Sequence, residues 1–250
     1  MNKNSDQIWS SYTEVYDALK TLTPYQKMFD DIITILQGIG AHTILDAACG
    51  TGNLLHYAQD KLPHSTQFTN VDSESRMLDQ AQKKSGTFSN ASFHCIDLNA
   101  PLPFDDESFD VVVSSNTLYA VKNPHATLSE FKRVLQVGGS LILTNPLLHS
   151  RPELILKSHC DPNGPLDHWI KTRDLEGIFD LIRESVADSQ VAENLCRVAL
   201  YDTQLRTAQD HHFFEKSDLE QFIVHLPMAI YKSAYTYAKQ DHLIACTRTA

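Results

Sequence analysis

The sequence predicts an α/β fold: a mainly parallel sheet of about seven strands, finished by an antiparallel hairpin, with a helical insertion before the last two strands. Three observations predict it. Short apolar runs alternate with helical stretches from Thr43 to Thr144, the pattern of right-handed crossovers in a parallel sheet. Three of these runs end in an acid, at Asp46, Asp72 and Asp97. The first leads into a glycine-rich turn, Ala47-Ala48-Cys49-Gly50-Thr51-Gly52-Asn53. Glycine has no Cβ and tolerates φ > 0, so a ligand can approach the backbone closely at the carboxyl end of the strand.

The elements follow in order. Trp9, Tyr12, Val15, Tyr16 and Leu19 recur at i, i+3 and i+4 spacing within a helical region from Ile8 to Leu36. Pro24 divides it into two helices. Thr43–Asp46 is the first strand, and a helix runs from Asn53 to about Lys61. Gln67–Asp72 is the second strand, and Ser75–Lys84 a helix with Met77, Leu78 and Ala81 on one face. Ala91–Ile96 is the third strand. Phe109–Ser114 carries Val111, Val112 and Val113, a β-branched run suited to a central strand buried on both faces. A helix from Ala126 to Leu135 ends at Gly138-Gly139, and Ser140–Thr144 is the fifth strand. Beyond Pro146 the strand signal fades; residues Ile170 to Gln209 read as mostly helical. It returns at Ala229–Ala238 and His242–Thr247, with too little chain between for a crossover helix, so these two pair as a hairpin.

The totals exclude several classes. The 250 residues suit one large domain, or one domain with an insertion. A net charge of −10 supplies no long-range attraction to nucleic acid phosphates. The polar start Met1-Asn2-Lys3-Asn4-Ser5-Asp6-Gln7 lacks the apolar core of a secretory signal. No stretch approaches the roughly 18 apolar residues of a membrane span. Cys49, Cys95, Cys160, Cys196 and Cys246 lie far apart and form no C-x-x-C pair, which suits buried reduced thiols rather than a zinc site or disulfide framework. The expectation is a cytoplasmic protein with a small-molecule partner, contacting neither nucleic acid nor membrane.

The glycine turn departs from the dinucleotide fingerprint G-x-G-x-x-G, because Leu55 stands at the third glycine position. Asp46 would also repel a pyrophosphate, whereas a ligand with a cationic amino-acid end suits it. The run Leu45-Asp46-Ala47-Ala48-Cys49-Gly50-Thr51-Gly52 resembles the first motif of the class I S-adenosylmethionine-dependent methyltransferases, roughly (V/L)LDxGCGTG. Val71-Asp72-Ser73-Glu74-Ser75-Arg76-Met77-Leu78 is similar to their second, VDxSxxML. Leu102-Pro103-Phe104-Asp105-Asp106-Glu107-Ser108-Phe109-Asp110-Val111-Val112 resembles the family phrase LPFxDxSFDVV, and Arg133-Val134-Leu135-Gln136-Val137-Gly138-Gly139 resembles RVLKPGG. The likeness covers about residues 40–145.

The resemblance implies a Rossmann-like fold with S-adenosyl-L-methionine as cofactor. It implies that Asp46, Ala48, Gly50 and Gly52 form the glycine loop, that Asp72 takes the ribose, and that Ser73 also belongs to the cofactor site. Met77 would then lie near the adenine, while Asp97 and the Leu98 N–H would read its edge. Asn116 would line the methionine part, and Tyr16 would close over it as a lid residue. Asp72 read by itself is also a candidate helix N-cap, and the Trp9, Tyr12 and Tyr16 stripe is also a candidate packing face. Phe213-Phe214-Glu215-Lys216-Ser217-Asp218-Leu219 resembles the phrase that opens the family's last helix, with Ser217 as its N-cap.

The implied activity is methyl transfer to an oxygen or nitrogen of a small molecule. The alternatives are a non-catalytic S-adenosylmethionine-binding protein, an RNA-modifying methyltransferase and, weakened by Leu55, a nicotinamide oxidoreductase. An acceptor that must lose a proton needs a base, for which Tyr119 and His149 are candidates, followed by His168, His211 and His212. Adjacent side chains such as His211 and His212 point apart and rarely chelate one ion, so no metal is expected. The expected division is lid helices over 1–40, a cofactor-binding core over 41–146 and 227–250, and an acceptor cap over 147–226. Trp169, Phe179, Tyr201, Phe213, Phe214 and Phe222 make that cap aromatic, which suits a compact, partly apolar acceptor.

Overall fold

The computed structural model describes residues 3–86, 89–160, 162–163, 174–207 and 211–250. His168 and Trp169 lie outside them.

Seven strands form one sheet: β1 Thr43–Ala47, β2 Gln67–Asp72, β3 Ala91–Cys95, β4 Phe109–Ser115, β5 Leu135–Pro146, β6 Met228–Thr236 and β7 Asp241–Arg248. Their order is β3-β2-β1-β4-β5-β7-β6. β1 pairs in parallel with β2 and β4, β2 with β3, and β4 with β5. β7 runs antiparallel to both β5 and β6. The fold is the expected Rossmann-like sheet with a final antiparallel hairpin. The chain builds outward from β1 to β3, then returns to place β4 on the other side of β1. That reversal opens a crevice beyond the carboxyl ends of β1 and β4, where ligands of open α/β sheets bind.

Side-chain alternation divides the core in two. Ile44, Val111, Val113, Ile142 and Leu243 enter the cluster on one face, and Leu45, Val112, Leu141, Leu143 and Ile244 the cluster on the other. A strand period of 2 with both faces covered explains the continuous apolar runs. The first face is covered by α1 Lys3–Tyr12, α2 Thr23–Ile39, α3 Asn53–Ala58, α6 Pro152–Cys160, α7 Leu175–Ser185 and α8 Ser189–Thr207. The second is covered by α5 Pro124–Val134 and α9 Lys216–Val224. α4, Ser75–Ser85, follows β2. Within the segment expected as cap, Leu181, Leu195 and Ala199 therefore pack with the N-terminal helices, while Leu219 and Ile223 of α9 pack on the opposite face.

Several boundaries differ from expectation. The helical run does break at Pro24, which stands in the first turn of α2, where its missing N–H costs nothing. The stretch before it is broken again, into α1 and a 3-10 helix at Tyr16–Thr21. Tyr16, Leu19 and Leu22 recur every three residues, the spacing at which 3-10 side chains eclipse. α3 ends at Ala58, short of Lys61. α5 starts at Pro124, because Asn123 accepts from the Ala126 N–H as N-cap. β5 begins at Leu135, with Phe109 opposite it, so Gly138-Gly139 lies inside the strand's span instead of before it. Ser217 is not the N-cap of α9: the helix starts at Lys216, and Glu215 holds that position. Asp72 is not the N-cap of α4 either, since Glu74 takes that place and accepts from the Arg76 N–H.

Candidate active site

The crevice contains a cavity of about 470 Å³, within the size range of small-molecule sites. Its wall is built from residues at or just beyond the ends of four strands: Ala48 and Gly50 after β1, Asp72 to Glu74 at the end of β2, Ile96 to Asn99 after β3, and Ser115 to Thr117 at the end of β4. Met77 of α4, Ala120 and Val121 complete that wall, while Trp9 and Tyr16 close it from the N-terminal segment.

The glycine turn is tightly wound. Ala48, Gly50 and Gly52 all have positive φ, at 63°, 55° and 75°, the left-handed region that glycine enters without strain. The Gly50 N–H donates to Asp72 Oδ2 at 2.8 Å. Tyr16 lies across this residue: a Cβ on Gly50 would sit 3.7 Å from the ring. Gly52 is not part of the wall. It opens α3, and a Cβ there would stand 2.9 Å from the Ala81 Cβ of α4.

Asp72 has one oxygen on Gly50 and the other on the Glu74 N–H, at 2.9 Å. Burial raises its pKa above 3.8, against the pull of these two amides. Asp97 is exposed at the rim and accepts from the Asn99 backbone and side-chain N–H groups. Leu98 and Met77 are buried beside it on the wall. Asn116 is left-handed at φ 53°. Its Nδ2 donates to Asp241 Oδ2 at 2.7 Å and its Oδ1 accepts from Thr144 Oγ1 at 3.0 Å, which fixes the amide orientation.

Asp46 stands on β1, 2% exposed, outside the cavity wall. Its Oδ2 is buried without a hydrogen-bond partner. Burial, and then the charge of Asp72, push its carboxyl up to about 8. An orphaned carboxylate oxygen beside a ligand cavity favours a ligand that brings a donor or a cation.

The expected bases are placed differently. Tyr119 is buried, stacked on Phe213 at 5.3 Å, and is not on the wall. Burial and the nearby Asp202 push its pKa well above 10, so the phenol keeps its proton at neutral pH. His149 is not brought to the cavity; its side chain is 85% exposed, with Glu215 Oε1 3.5 Å away. His211 packs 5.4 Å from the Tyr119 ring, and the His212 N–H donates to the Tyr119 carbonyl.

Two carboxylates that sequence reasoning missed lie near Tyr119. Asp241 starts β7 and holds Asn116, and burial pushes it up to about 7. Asp202 of α8 accepts from the Tyr12 hydroxyl at 2.8 Å, and burial pushes it up to about 6. Arg206 lies close enough to lower both, its guanidinium 4.8 Å from the Phe213 ring centre. Neither acid sits in a local motif that could have marked it. Among the described residues no group of three or more His, Cys, Asp or Glu side chains is placed to hold a metal ion, and no helix is long and apolar enough to cross a membrane.

Comparison with known proteins agrees with this geometry. A family model described as a methyltransferase domain matches residues 45–143. The chain is similar to the biotin biosynthesis bifunctional protein BioHC of Teredinibacter turnerae, 34% identical over 146 residues, covering 54% of this chain and 25% of that protein. It is similar to demethylmenaquinone methyltransferase of Thermotoga maritima, 28% identical over 146 residues, covering 56% and 61%. It thus spans a quarter and about three-fifths of the length of these two relatives. A solved S-adenosylmethionine-dependent methyltransferase from Aquifex aeolicus shares the fold, with a TM-score of 0.58 over 95% of this chain and 98% of that one, at 14% identity. Residues 45–143 therefore match a methyltransferase domain, and the chain has the fold of solved S-adenosylmethionine-dependent methyltransferases.

Proposed function

We propose that the cavity binds S-adenosyl-L-methionine and that its methyl group passes to an oxygen or nitrogen of a small-molecule acceptor entering beside Asn116. One observation carries this reading: Gly50, Asp72, Asp97 and Asn116, from four consecutive strand ends, line the same cavity. Asp72 would take the ribose hydroxyls and Ser73 would stand beside them. Met77 would pack on the adenine, with Asp97 and the Leu98 N–H at its edge. Ala48, Gly50 and Tyr16 would surround the amino-acid end, with Asp46 behind the turn, where a ligand's positive charge would favour loss of its proton. Gly52 would shape the turn without touching the ligand.

When bound, the cofactor supplies an electrophilic methyl group on a good leaving group, so the protein's task is mainly orientation, which contributes about 7–11 kcal/mol in favourable cases. Asn116, locked between Asp241 and Thr144, would fix the position of the acceptor's reacting atom. Asp241, buried behind the wall, would hold the Asn116 amide in place. Tyr119 would pack and donate rather than act as base. Relatives named for demethylmenaquinone and for biotin biosynthesis support a small-molecule acceptor as the coarser expectation. The whole division into 1–40 as lid, 41–146 with 227–250 as core and 147–226 as cap is part of this proposal.

Calorimetric titration with S-adenosylmethionine, S-adenosylhomocysteine and NAD tests the reading. Micromolar binding of the first two and none of NAD is expected; binding of NAD alone would overturn it.

Asp46 also gives a pH prediction. Its folded pKa of about 8 lies above the ordinary 3.8. Between those values the folded protein holds a proton that the unfolded chain has released, so raising pH favours unfolding. Asp202 and Asp241 act in the same sense, up to about 6 and 7. The ligand-free protein should therefore lose stability from about pH 6.5 to pH 8 in urea unfolding, above the range in which His242, held down to about 4 by burial, acts in the opposite sense. Asp46→Asn should lose less over that window, and equal slopes for the two proteins would remove Asp46 from the explanation.

A further inference from the structure

We propose that Lys84 and Asp17 form a latch that holds the Tyr16 segment over the glycine turn, making both positioning residues for cofactor binding. The inference rests on the function proposed above. Lys84 is on α4 and Asp17 on the 3-10 helix that carries Tyr16. The Lys84 Nζ lies 2.8 and 2.9 Å from the two Asp17 carboxylate oxygens, 2.8 Å from Thr51 Oγ1 and 2.8 Å from Asn53 Oδ1. The Thr51 hydroxyl donates to Asp17 Oδ1 at 2.6 Å. Thr51 and Asn53 flank Gly52, so one ammonium joins the lid, the turn and α4.

A second chain of contacts leads from this knot to the cavity. Asn53 Nδ2 donates to the Tyr25 hydroxyl at 3.0 Å, and the Tyr25 hydroxyl pairs with that of Tyr16. Tyr16 is thus held from both sides: by its neighbour Asp17 along the backbone, and by its own hydroxyl through Tyr25, Asn53 and Lys84. Its ring covers Gly50 and forms part of the cavity wall. The lysine side chain is only 19% exposed. Withdrawing a cation even partly from water is costly unless it is paired and hydrogen-bonded, and Asp17, Thr51 and Asn53 supply those partners here. Burial and the neighbouring Lys20 act against the Lys84 charge, while Asp17 acts for it, so removing either partner should loosen the segment.

The test is titration calorimetry with S-adenosylhomocysteine, paired with thermal unfolding of the ligand-free proteins. Lys84→Met and Asp17→Asn are each expected to weaken binding about tenfold. The double variant should bind no more weakly than either single one, because the two residues act as one unit. Lys84→Arg should recover part of the loss. Thr51→Val, which removes one hydroxyl from the knot, should weaken binding in the same direction by a smaller factor if the lysine variants fail to fold. Variants that melt earlier yet bind within twofold of wild type would overturn the latch and leave a packing role only. Wild-type protein that binds no S-adenosylhomocysteine would overturn the proposed function, and the latch with it.

Discussion

Replacing Asp72 by alanine is expected to weaken S-adenosylhomocysteine binding by about a hundredfold or more. A carboxylate that accepts both ribose hydroxyls makes two charge-assisted hydrogen bonds, and hydrogen bonds to charged groups contribute about 1.5–3 kcal/mol each. The structure adds a second route to the same loss. Asp72 Oδ2 is the partner of the Gly50 N–H and Oδ1 of the Glu74 N–H. Alanine would leave both amides without that acceptor and loosen the turn that approaches the ligand. Asp72→Asn keeps one oxygen acceptor and the side chain's size, so it should bind better than the alanine variant but below wild type. Calorimetry on folded variants reads this directly. Unchanged affinity in a folded Asp72→Ala protein would sink the ribose assignment.

Gly52→Val is expected to destabilise the protein by about 2–5 kcal/mol. Left-handed backbone costs a residue with a Cβ about 1–2 kcal/mol, and Gly52 sits at φ 75°. The new Cβ would also lie 2.9 Å from the Ala81 Cβ and 3.2 Å from its Cα, and overpacking of this kind costs about 1–3 kcal/mol. Because backbone is involved, α4 would have to move away from the turn. Urea unfolding measures the loss. Adding Ala81→Gly relieves the overlap but not the backbone strain, so the double variant should be less destabilised than the sum of the two single changes. Strict additivity would show that the α4 contact contributes nothing.

Much of the fold is legible in the sequence because it rests on local pattern. Val111-Val112-Val113 suits burial on both faces, and the structure divides those three side chains between the two cores. Gln67–Asp72 is legible to the residue because polar turn residues bound it on both sides. The candidate cofactor residues are legible for a related reason: acids at strand ends and glycines in a turn are marked by their place along the chain. Boundaries are harder. At the break after α1, Tyr12 packs on Tyr16 and, from α8, on Tyr201, contacts that no local period announces. Ser217 looks like an N-cap by residue type, yet the helix begins one residue before it.

The acceptor side is not legible. His149 and Tyr119 have the chemistry of a base, but chemistry without position does not make one. Asp202 and Asp241 carry no local mark because their significance lies in neighbours far along the chain: Tyr12, 190 residues from Asp202, and Asn116, 125 residues from Asp241. Lys84 reads as the end of an amphipathic helix, and its partner Asp17 is 67 residues away.

The sequence by itself determined the parallel sheet, the hairpin, the glycine turn and the row of acids at the strand ends, since strand period, β-branched runs and turn residues act over a few positions. Only the tertiary structure decided which carboxylates are buried, which hydroxyls they meet and how the N-terminal segment is held down. Those outcomes depend on desolvation and on hydrogen bonds between distant segments, and neither exists until the helices have packed onto the sheet.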